Sequence, residues 1–354
     1  MERQAHAQKV LVTGHAGYIG QVMVQVLENA GHNVTGCDID YYEGCDFGRI
    51  NHRIPVLSQD VRDLAVKDLV GFDAVIHLAA LSNDPLGDLD PELTLEINYR
   101  ASVRLACLAR DAGVRRFLLS SSCSMYGSAG EETVAETAPL RPISVYAESK
   151  VRTEEDLDKL ACDSFSPVYL RNATAYGVSP RLRADLVLNN LCCWGYTTNS
   201  IRIMSDGTPW RPLVHVEDIS RAFAAALEAP TEVIHNRAFN VGGDSVNYQI
   251  RELAEIVRQV MPRCQVEYAG KGGPDPRNYR VDFTRIAREL PAWQARWTAR
   301  MGAEELIHAC RQNGMAKEDF EGWRFTRLAQ LKRLIKLGRL DPQLRWREGL
   351  YGTR

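Results

Sequence analysis

The residues best suited to chemistry in this chain are a tyrosine and a lysine four positions apart, Tyr146 and Lys150. On a helix this spacing places a phenol and an ammonium on one face. A tyrosine titrates near 10 in water, and a neighbouring cation lowers that pKa because it favours the phenolate. Ser122, in a run of three serines, could hydrogen-bond to the same substrate. The set predicts removal of an alcohol proton as a hydride leaves for a nicotinamide.

A glycine-rich turn near the start of the chain would supply the binding site for such a cofactor. Gly14, Gly17 and Gly20 follow a short apolar strand and open a helical pattern. Such a turn needs glycine where the backbone bends, where it approaches a pyrophosphate and where helix meets strand. The N–H groups and dipole of the helix then favour phosphate. A loop without any ligand can also carry three glycines, so the flanking residues decide between the two interpretations.

Asp38 is the flanking residue that matters most. It lies at the end of the next predicted strand, 18 residues after Gly20. A carboxylate there can bind both ribose hydroxyls and would repel a 2′-phosphate, which favours NAD over NADP. The alternative is that Asp38 is an ordinary turn residue. Asp60 and Val61, after a third short strand, are predicted to contact the adenine.

The elements that must position these residues alternate regularly over the first part of the chain. This alternation predicts a doubly wound parallel α/β sheet with right-handed crossovers. Strands are predicted at 10–12, 33–36, 74–78, 116–120 and 168–171, and helices at 21–29, 93–112 and 145–161.

A change of pattern after residue 178 predicts a second domain. Prolines, glycines and shorter elements dominate there, whereas a helix at 216–227 and a strand at 239–241 return to the first pattern. We therefore predict a first domain at 1–178, rejoined by about 213–243, and a second at 179–212 and 244–354. The basic tail, residues 323–346, has apolar residues at helical spacing. A surface helix with a solvated cationic face explains this tail better than nucleic-acid binding does.

Composition excludes several classes of function. The formal charge of −2 over 354 residues gives no reason to expect nucleic acid or an anionic membrane as partner. The nine cysteines include no CxxC, so neither a metal site nor a disulfide framework is indicated. No uncharged apolar run approaches the roughly 18 to 20 residues that span a bilayer, and the first nine residues do not form a signal peptide. A cytoplasmic location is the simplest expectation.

Together these motifs resemble the extended short-chain dehydrogenase/reductases, specifically the NAD-dependent nucleotide-sugar epimerase/dehydratase family. The resemblance covers nearly the whole chain and includes residues 77–80, 120–127 and 212–218. It implies a Rossmann-type fold with a smaller, discontinuous C-terminal substrate-binding domain, bound NAD and a nucleotide-diphosphate sugar. It also implies a homodimer that pairs helices 93–112 and 145–161.

The resemblance assigns roles to individual residues. The implied catalytic residues are Ser122, Tyr146 and Lys150. The implied cofactor contacts are Gly14, Gly17, Tyr18, Ile19, Gly20, Asp38, Asp60, Val61, Leu78, Ala79, Ala80, Asn98, Ser120, Tyr146 and Lys150. The implied substrate contacts are Thr174, Arg181, Asn189, Arg211 and Arg277.

Three departures from the family pattern bear on the reaction. The 4,6-dehydratases of the family carry the sequence Thr-Asp-Glu at the position where this chain has Ser122, Cys123 and Ser124. Without those carboxylates, elimination of water lacks its proton carriers. Some epimerising relatives place a cysteine at the position of Ser124, whereas Cys123 would point to the other side of an extended segment and is predicted to be buried and inert. Thr174 replaces a family asparagine, so hydrogen bonds near the nicotinamide are expected to differ.

Three functions therefore remain open from the sequence. The leading hypothesis is a nucleotide-sugar 4-epimerase that works through a transient 4-keto sugar with tightly bound NAD. The alternative is an NAD-dependent oxidoreductase with net cofactor turnover, and the sequence does not separate these two. A non-catalytic NAD-binding module is disfavoured, because it would have no need for Ser122, Tyr146 and Lys150 together.

Overall fold

The computed structural model describes residues 7–50, 52–82, 90–243, 246–268 and 278–347. The strands in these ranges are β1 (Lys9–Thr13), β2 (Asn33–Cys37), β3 (Val56–Leu57), β4 (Ala74–His77), β5 (Arg116–Ser122), β6 (Ser128–Val134), β7 (Ser166–Asn172), β8 (Thr174–Tyr176), β9 (Ser200–Ile203), β10 (Trp210–His215), β11 (Arg237–Val241), β12 (Asn247–Gln249), β13 (Gln265–Tyr268) and β14 (Asn278–Val281). The α-helices are α1 (Tyr18–Asn29), α2 (Pro91–Leu95), α3 (Ala101–Asp111), α4 (Val145–Asp158), α5 (Val187–Thr198), α6 (Val216–Glu228), α7 (Thr231–Ile234), α8 (Ile250–Val260), α9 (Thr284–Glu289), α10 (Ala299–Gln312), α11 (Lys317–Glu321) and α12 (Arg327–Lys336).

A seven-stranded parallel sheet organises the first half of the fold. Its strand order is β11-β7-β5-β4-β1-β2-β3. The chain runs outward from β1 in one direction through β2 and in the other through β4, and this reversal opens a crevice at the carboxyl ends of the strands. The predicted Rossmann-type doubly wound sheet is confirmed.

Helices cover both faces of this sheet because each buries an apolar stripe against it. On one face α1 and α6 bury side chains such as Met23, Leu27 and Phe223. On the other face α3 and α4 contribute Leu105 and Leu157. The predicted helix at 93–112 is interrupted, since a π-helical turn at Glu96–Arg100 joins α2 to α3.

A second apolar core lies in the later part of the chain. It is formed mainly by α5, α8 and α10, together with β9. Two small sheets accompany it, in which β10 pairs with β8 and β12, and β13 pairs with β9. Between these elements of the second core, after α6, the chain returns to the large sheet through β11, which lies parallel to β7. Within residues 213–243, α6 and β11 pack with the large sheet, whereas β10 belongs to a small sheet; the division into two domains stays a prediction.

The C-terminal segment, residues 323–347, crosses back to the first half of the fold, and we call it the C-terminal strap. Phe325 at its start lies in the second core and contacts Phe47 at a ring-centre distance of 5.4 Å. Beyond it, α12 and the following turn pack against Leu81 and Ile97 of the first half. The helical spacing in the tail is confirmed, but its apolar side docks on the Rossmann half. No helix in the described ranges has the length and apolar character needed to cross a membrane.

Candidate active site

A cleft at the carboxyl edge of the sheet brings together most of the residues named from the sequence. The predicted residues that line it are Gly14, Gly17, Tyr18, Ile19, Gly20, Asp38, Asp60, Val61, Leu78, Ala79, Ala80, Ser120, Ser122, Tyr146, Lys150, Thr174 and Arg211.

The glycine turn is held so tightly that side chains would not fit. Gly14 has φ +76, and a Cβ there would lie 2.7 Å from the backbone nitrogen of Ala79. A Cβ on Gly20 would lie 2.2 Å from the carbonyl oxygen of Gly14. The turn therefore packs directly against the loop after β4 and leads into α1, whose first N–H groups have no partners within the helix. This arrangement fits a cofactor diphosphate.

Asp38 is oriented by the backbone of this same turn. Its carboxylate accepts hydrogen bonds from the N–H groups of Ala16 at 3.0 Å and Asp40 at 2.8 Å, one on each oxygen. Burial raises the pKa of Asp38, and the charge of His15 together with these hydrogen bonds opposes that rise. These backbone contacts hold the carboxylate at the end of β2, the place where the ribose of a dinucleotide binds in this type of fold.

Replacing Asp38 with alanine is expected to weaken NAD binding by about 1.5 to 3 kcal/mol, as for loss of a charged hydrogen-bonding group. Titration calorimetry with NAD on the cofactor-free protein measures the effect. Asp111→Ala, at the exposed end of α3, is the matched control and should bind as the parent does. Unchanged affinity in Asp38→Ala, or a preference of the parent for NADP, would contradict the ribose assignment.

Asp60 and Asn98, two further residues that were predicted to contact the cofactor, lie in different surroundings. Asp60 lines the cleft, but both of its oxygens are bonded to the Arg62 guanidinium, at 2.6 Å for the shortest contact. Asn98 is fully buried and does not appear in the cleft wall; its amide bonds to both the N–H (2.7 Å) and the carbonyl (3.0 Å) of Leu81. Its structural contribution is to fix the loop after β4, which does line the cleft.

Tyr146 and Lys150 lie on α4 as the spacing predicted. The helix begins after Ser144, whose hydroxyl accepts the N–H of Ala147 at 3.2 Å. Lys150 Nζ lies 5.9 Å from the centre of the Tyr146 ring, and only 2% of the lysine is exposed. Burial lowers the pKa of Lys150 to about 8, with the charge of Glu154 acting in the opposite direction. A buried cation beside a phenol is the arrangement that stabilises a phenolate.

Ser122 is paired with a second hydroxyl that the sequence did not assign to the site. Its Oγ accepts the N–H of Ser124 at 3.1 Å and donates to the Ser124 hydroxyl at 2.9 Å, and both serines line the cleft. Cys123 between them points away, because its thiol donates to the Arg171 carbonyl at 3.1 Å. Cys123 is buried, as predicted, and burial raises the pKa of its thiol.

A buried ionic network holds helix α4 against the large sheet. Glu154, one turn after Lys150, pairs with Arg171 of β7 at 2.6 Å and accepts the Ser121 hydroxyl of β5 at 2.5 Å. Arg171 also donates to the Tyr126 hydroxyl at 3.1 Å. Since all four side chains are buried, the network fixes α4 relative to the serines at the end of β5.

The predicted substrate residues divide into two groups. Thr174 and Arg211 line the cleft. Arg181 instead pairs with Asp40 at 2.7 Å, and the Asn189 amide donates to the carbonyl of Arg183 at 2.9 Å and accepts the N–H of Gly177. These two side chains hold loops beside the cleft. Arg277 lies outside the described residues.

Several cleft residues were not found from the sequence. Besides Ser124 they include Tyr42, Arg183, Tyr279 and Arg327. Arg183 pairs with Asp185 at 2.7 Å. Its position two residues after the predicted Arg181 could have indicated from the sequence that it lies near the cleft. Arg327 comes from the C-terminal strap, and nothing in its local sequence points to the cleft.

Comparisons with known proteins agree with this geometry. Residues 10–242 match the model of the NAD dependent epimerase/dehydratase family. A UDP-glucose 4-epimerase of Mycolicibacterium smegmatis is 30% identical over 326 residues, covering 86% of this chain and 98% of that protein. UDP-glucuronic acid decarboxylase 4 of Arabidopsis thaliana is 27% identical and covers 88% of this chain and 71% of its own length. The structure of MoeE5 in complex with UDP-glucuronic acid and NAD is similar at a TM-score of 0.72 and 28% identity, covering 86% of this chain and 99% of that one.

The chain belongs to the NAD-dependent epimerase/dehydratase family. It is an enzyme of the extended short-chain dehydrogenase/reductase class, and NAD is its cofactor. The residues of the cleft fit that cofactor. The glycine turn before α1 would hold the diphosphate, Asp38 the ribose, and Tyr146 and Lys150 the nicotinamide end.

Proposed function

We propose that this protein is a nucleotide-sugar 4-epimerase that retains its NAD throughout the reaction. The observation that carries the proposal is the joining of Ser122, Tyr146 and Lys150 to the Asp38 side of the cleft in one continuous cavity. That cavity offers hydroxyl groups and a buried cation where a sugar carbinol would react. The names of the relatives, which include UDP-glucose and UDP-glucuronate 4-epimerases, support a nucleotide-diphosphate sugar as substrate.

The chain's own residues would carry the proton of the reaction. Tyr146 as phenolate accepts the proton of the C4 hydroxyl, while Ser122 and Ser124 hydrogen-bond to that oxygen and keep it in position. Lys150 stabilises the phenolate form. Bound NAD supplies the acceptor and donor of the C4 hydride. Once the 4-ketone has turned in the pocket, Tyr146 returns its proton to the oxygen, and the C4 hydroxyl has the opposite configuration.

The positions of the carboxylates in the cleft argue against a dehydratase that eliminates water. Among the described residues that line it, the carboxylates are Asp38 and Asp60, one oriented by the glycine turn and the other bound to Arg62. Neither lies beside Ser122, where a dehydratase would need an acid and a base. Ketone formation and its reversal need no carboxylate, because Tyr146 moves the proton, Lys150 stabilises the phenolate and NAD would carry the hydride.

The same residues would also serve an oxidoreductase with net turnover of NAD, which is the competing function. Denaturing the purified protein and assaying released nicotinamide nucleotide separates the two. The epimerase is expected to release about one equivalent of NAD per chain and to convert its substrate with none added. A protein that carries no nucleotide and requires added NAD or a reductant in stoichiometric amount would contradict the proposal.

We further propose that the enzyme is a cytoplasmic homodimer. Helices α3 and α4 would form the interface, in the way that the family pairs the corresponding helices. All nine cysteines are unpaired in the structure, which is consistent with a reducing compartment.

A further inference from the structure

The C-terminal strap closes over the adenosine side of the cofactor cleft. The indole N–H of Trp346 donates to the Ile39 carbonyl at 2.7 Å, and the Gln330 amide donates to the Tyr41 carbonyl at 3.0 Å. Both carbonyls belong to the loop that follows Asp38. From the segment after β3, Arg62 donates to the carbonyl of Gln343 at 2.8 Å. The strap is therefore bonded to both sequence segments that flank the adenosine site.

Arg327, in the first turn of α12, brings a cation from this strap into the cleft wall. Its guanidinium lies 3.9 Å from the centre of the Tyr42 ring, and Nη2 donates to the Arg181 carbonyl at 2.7 Å. Only 2% of the residue is exposed, and Nη1 has no hydrogen-bond partner among the described residues.

Arg327 has no carboxylate of its own. Within the described part of the chain, the nearby Asp185 forms its ion pair with Arg183, and no carboxylate forms an ion pair with Arg327. Burial lowers the pKa of Arg327 and the charge of Arg183 lowers it further, while Tyr42 and Asp185 act the other way. A buried cation without an anion is costly, so the position is suited to an anion that enters with a ligand.

The surrounding contacts connect Arg327 to the start of α1. The Gly177 carbonyl accepts the Tyr18 hydroxyl at 2.8 Å, and the Ser179 hydroxyl donates to the Tyr18 carbonyl at 2.7 Å. The same segment ends at Arg181, whose carbonyl binds Arg327. A stretch of five residues thus links Arg327 to the first turn of α1, where a cofactor diphosphate binds.

We propose that Arg327 is a ligand of the NAD diphosphate and that through it the C-terminal strap retains the cofactor. The unpartnered Nη1 would donate to a phosphate oxygen in a charge-assisted hydrogen bond. Stacking on Tyr42 and the bond to Arg181 hold the guanidinium in place before the cofactor arrives. Release of NAD then requires this contact to break.

Exchange of bound NAD tests the assignment directly. The purified holoenzyme is mixed with isotopically labelled NAD, and incorporation of label is followed with time. Arg327→Met is expected to exchange NAD roughly 10- to 100-fold faster than the parent, the size of effect given by loss of a hydrogen bond to a charged group. Arg327→Lys, which keeps the charge and loses the planar fork, should give an intermediate rate.

Two controls separate this role from a general effect on the strap. Arg333→Met removes another stacked arginine of α12, which lies 4.0 Å over Trp323 and outside the cleft, and should exchange at the parental rate. The affinity of each holoenzyme for UDP, measured by calorimetry, should be unchanged.

Unaltered exchange of NAD in Arg327→Met would overturn the proposal. A loss of UDP affinity at unaltered exchange would do so as well, because it would assign Arg327 to the sugar nucleotide. Equal acceleration in Arg333→Met would show that α12 acts only by packing and would equally overturn it.

Discussion

Tyr146→Phe is expected to lower the rate of substrate conversion by 10² to 10⁴, the contribution of a positioned general acid/base, while NAD stays bound. The change removes a single oxygen and leaves the ring beside Lys150, whose Nζ lies 5.9 Å from the ring centre. The remaining serine hydroxyls cannot replace the phenol, because an aliphatic hydroxyl, unlike a phenol, does not ionise near neutral pH. Steady-state rates at saturating substrate measure the effect.

A second tyrosine provides the matched control for this variant. The Tyr99 hydroxyl donates to Asp156 at 2.5 Å outside the cleft, so Tyr99→Phe should retain the parental rate. If Tyr146→Phe also kept a rate within a few-fold of the parent, the proton would be carried by another group and the assignment of Tyr146 would be wrong.

Lys150→Met is expected to abolish most activity and at the same time to stabilise the folded protein at neutral pH. The ammonium is buried, and burial lowers its pKa from 10.5 to about 8, a difference worth roughly 3 kcal/mol. Below pH 8 both the folded and the unfolded chain carry the proton, and the folded state bears the full cost of the buried charge. Methionine of similar shape removes that cost.

The pH dependence of this stabilisation fixes its cause. Between about 8 and 10.5 the folded lysine is neutral while the unfolded one still binds a proton, so parental stability rises with pH. Urea unfolding of the cofactor-free proteins should therefore show Lys150→Met as the more stable at pH 7, with the difference shrinking toward pH 10. A variant less stable than the parent at pH 7 would mean that Lys150 is a structural cation.

Parts of the site could be predicted because their signals are local. The glycines at 14, 17 and 20 and the carboxylate at the end of β2 follow from the way a strand, a turn and a helix meet, which involves neighbours in sequence. The pair Tyr146 and Lys150 follows from helical spacing alone. Cys123 points away from the cleft as expected, but it does so at the start of a 3-10 turn, Cys123–Tyr126, and not in the extended chain on which that expectation was based.

Other parts were out of reach because they depend on contacts distant in sequence. Nothing near Arg181 shows that Asp40, from the loop after β2, takes up its charge. The helical spacing of the tail predicted α12, but its docking on Leu81 and Ile97 is set by the shape of the folded first domain. Arg327 therefore could not be placed in the cleft before the structure was known.

The fate of the C4 hydride distinguishes a 4-epimerase from an oxidoreductase with net turnover of NAD. A nucleotide sugar carrying deuterium at C4 is incubated with the purified enzyme without added NAD, and the product is examined by mass spectrometry. A 4-epimerase should return the label to C4 of the epimer, because the hydride stays in the closed site while Tyr146 moves the proton. Loss of the label from the product, or accumulation of deuterated NADH in solution, would contradict the account and would establish a net oxidoreductase on the same residues.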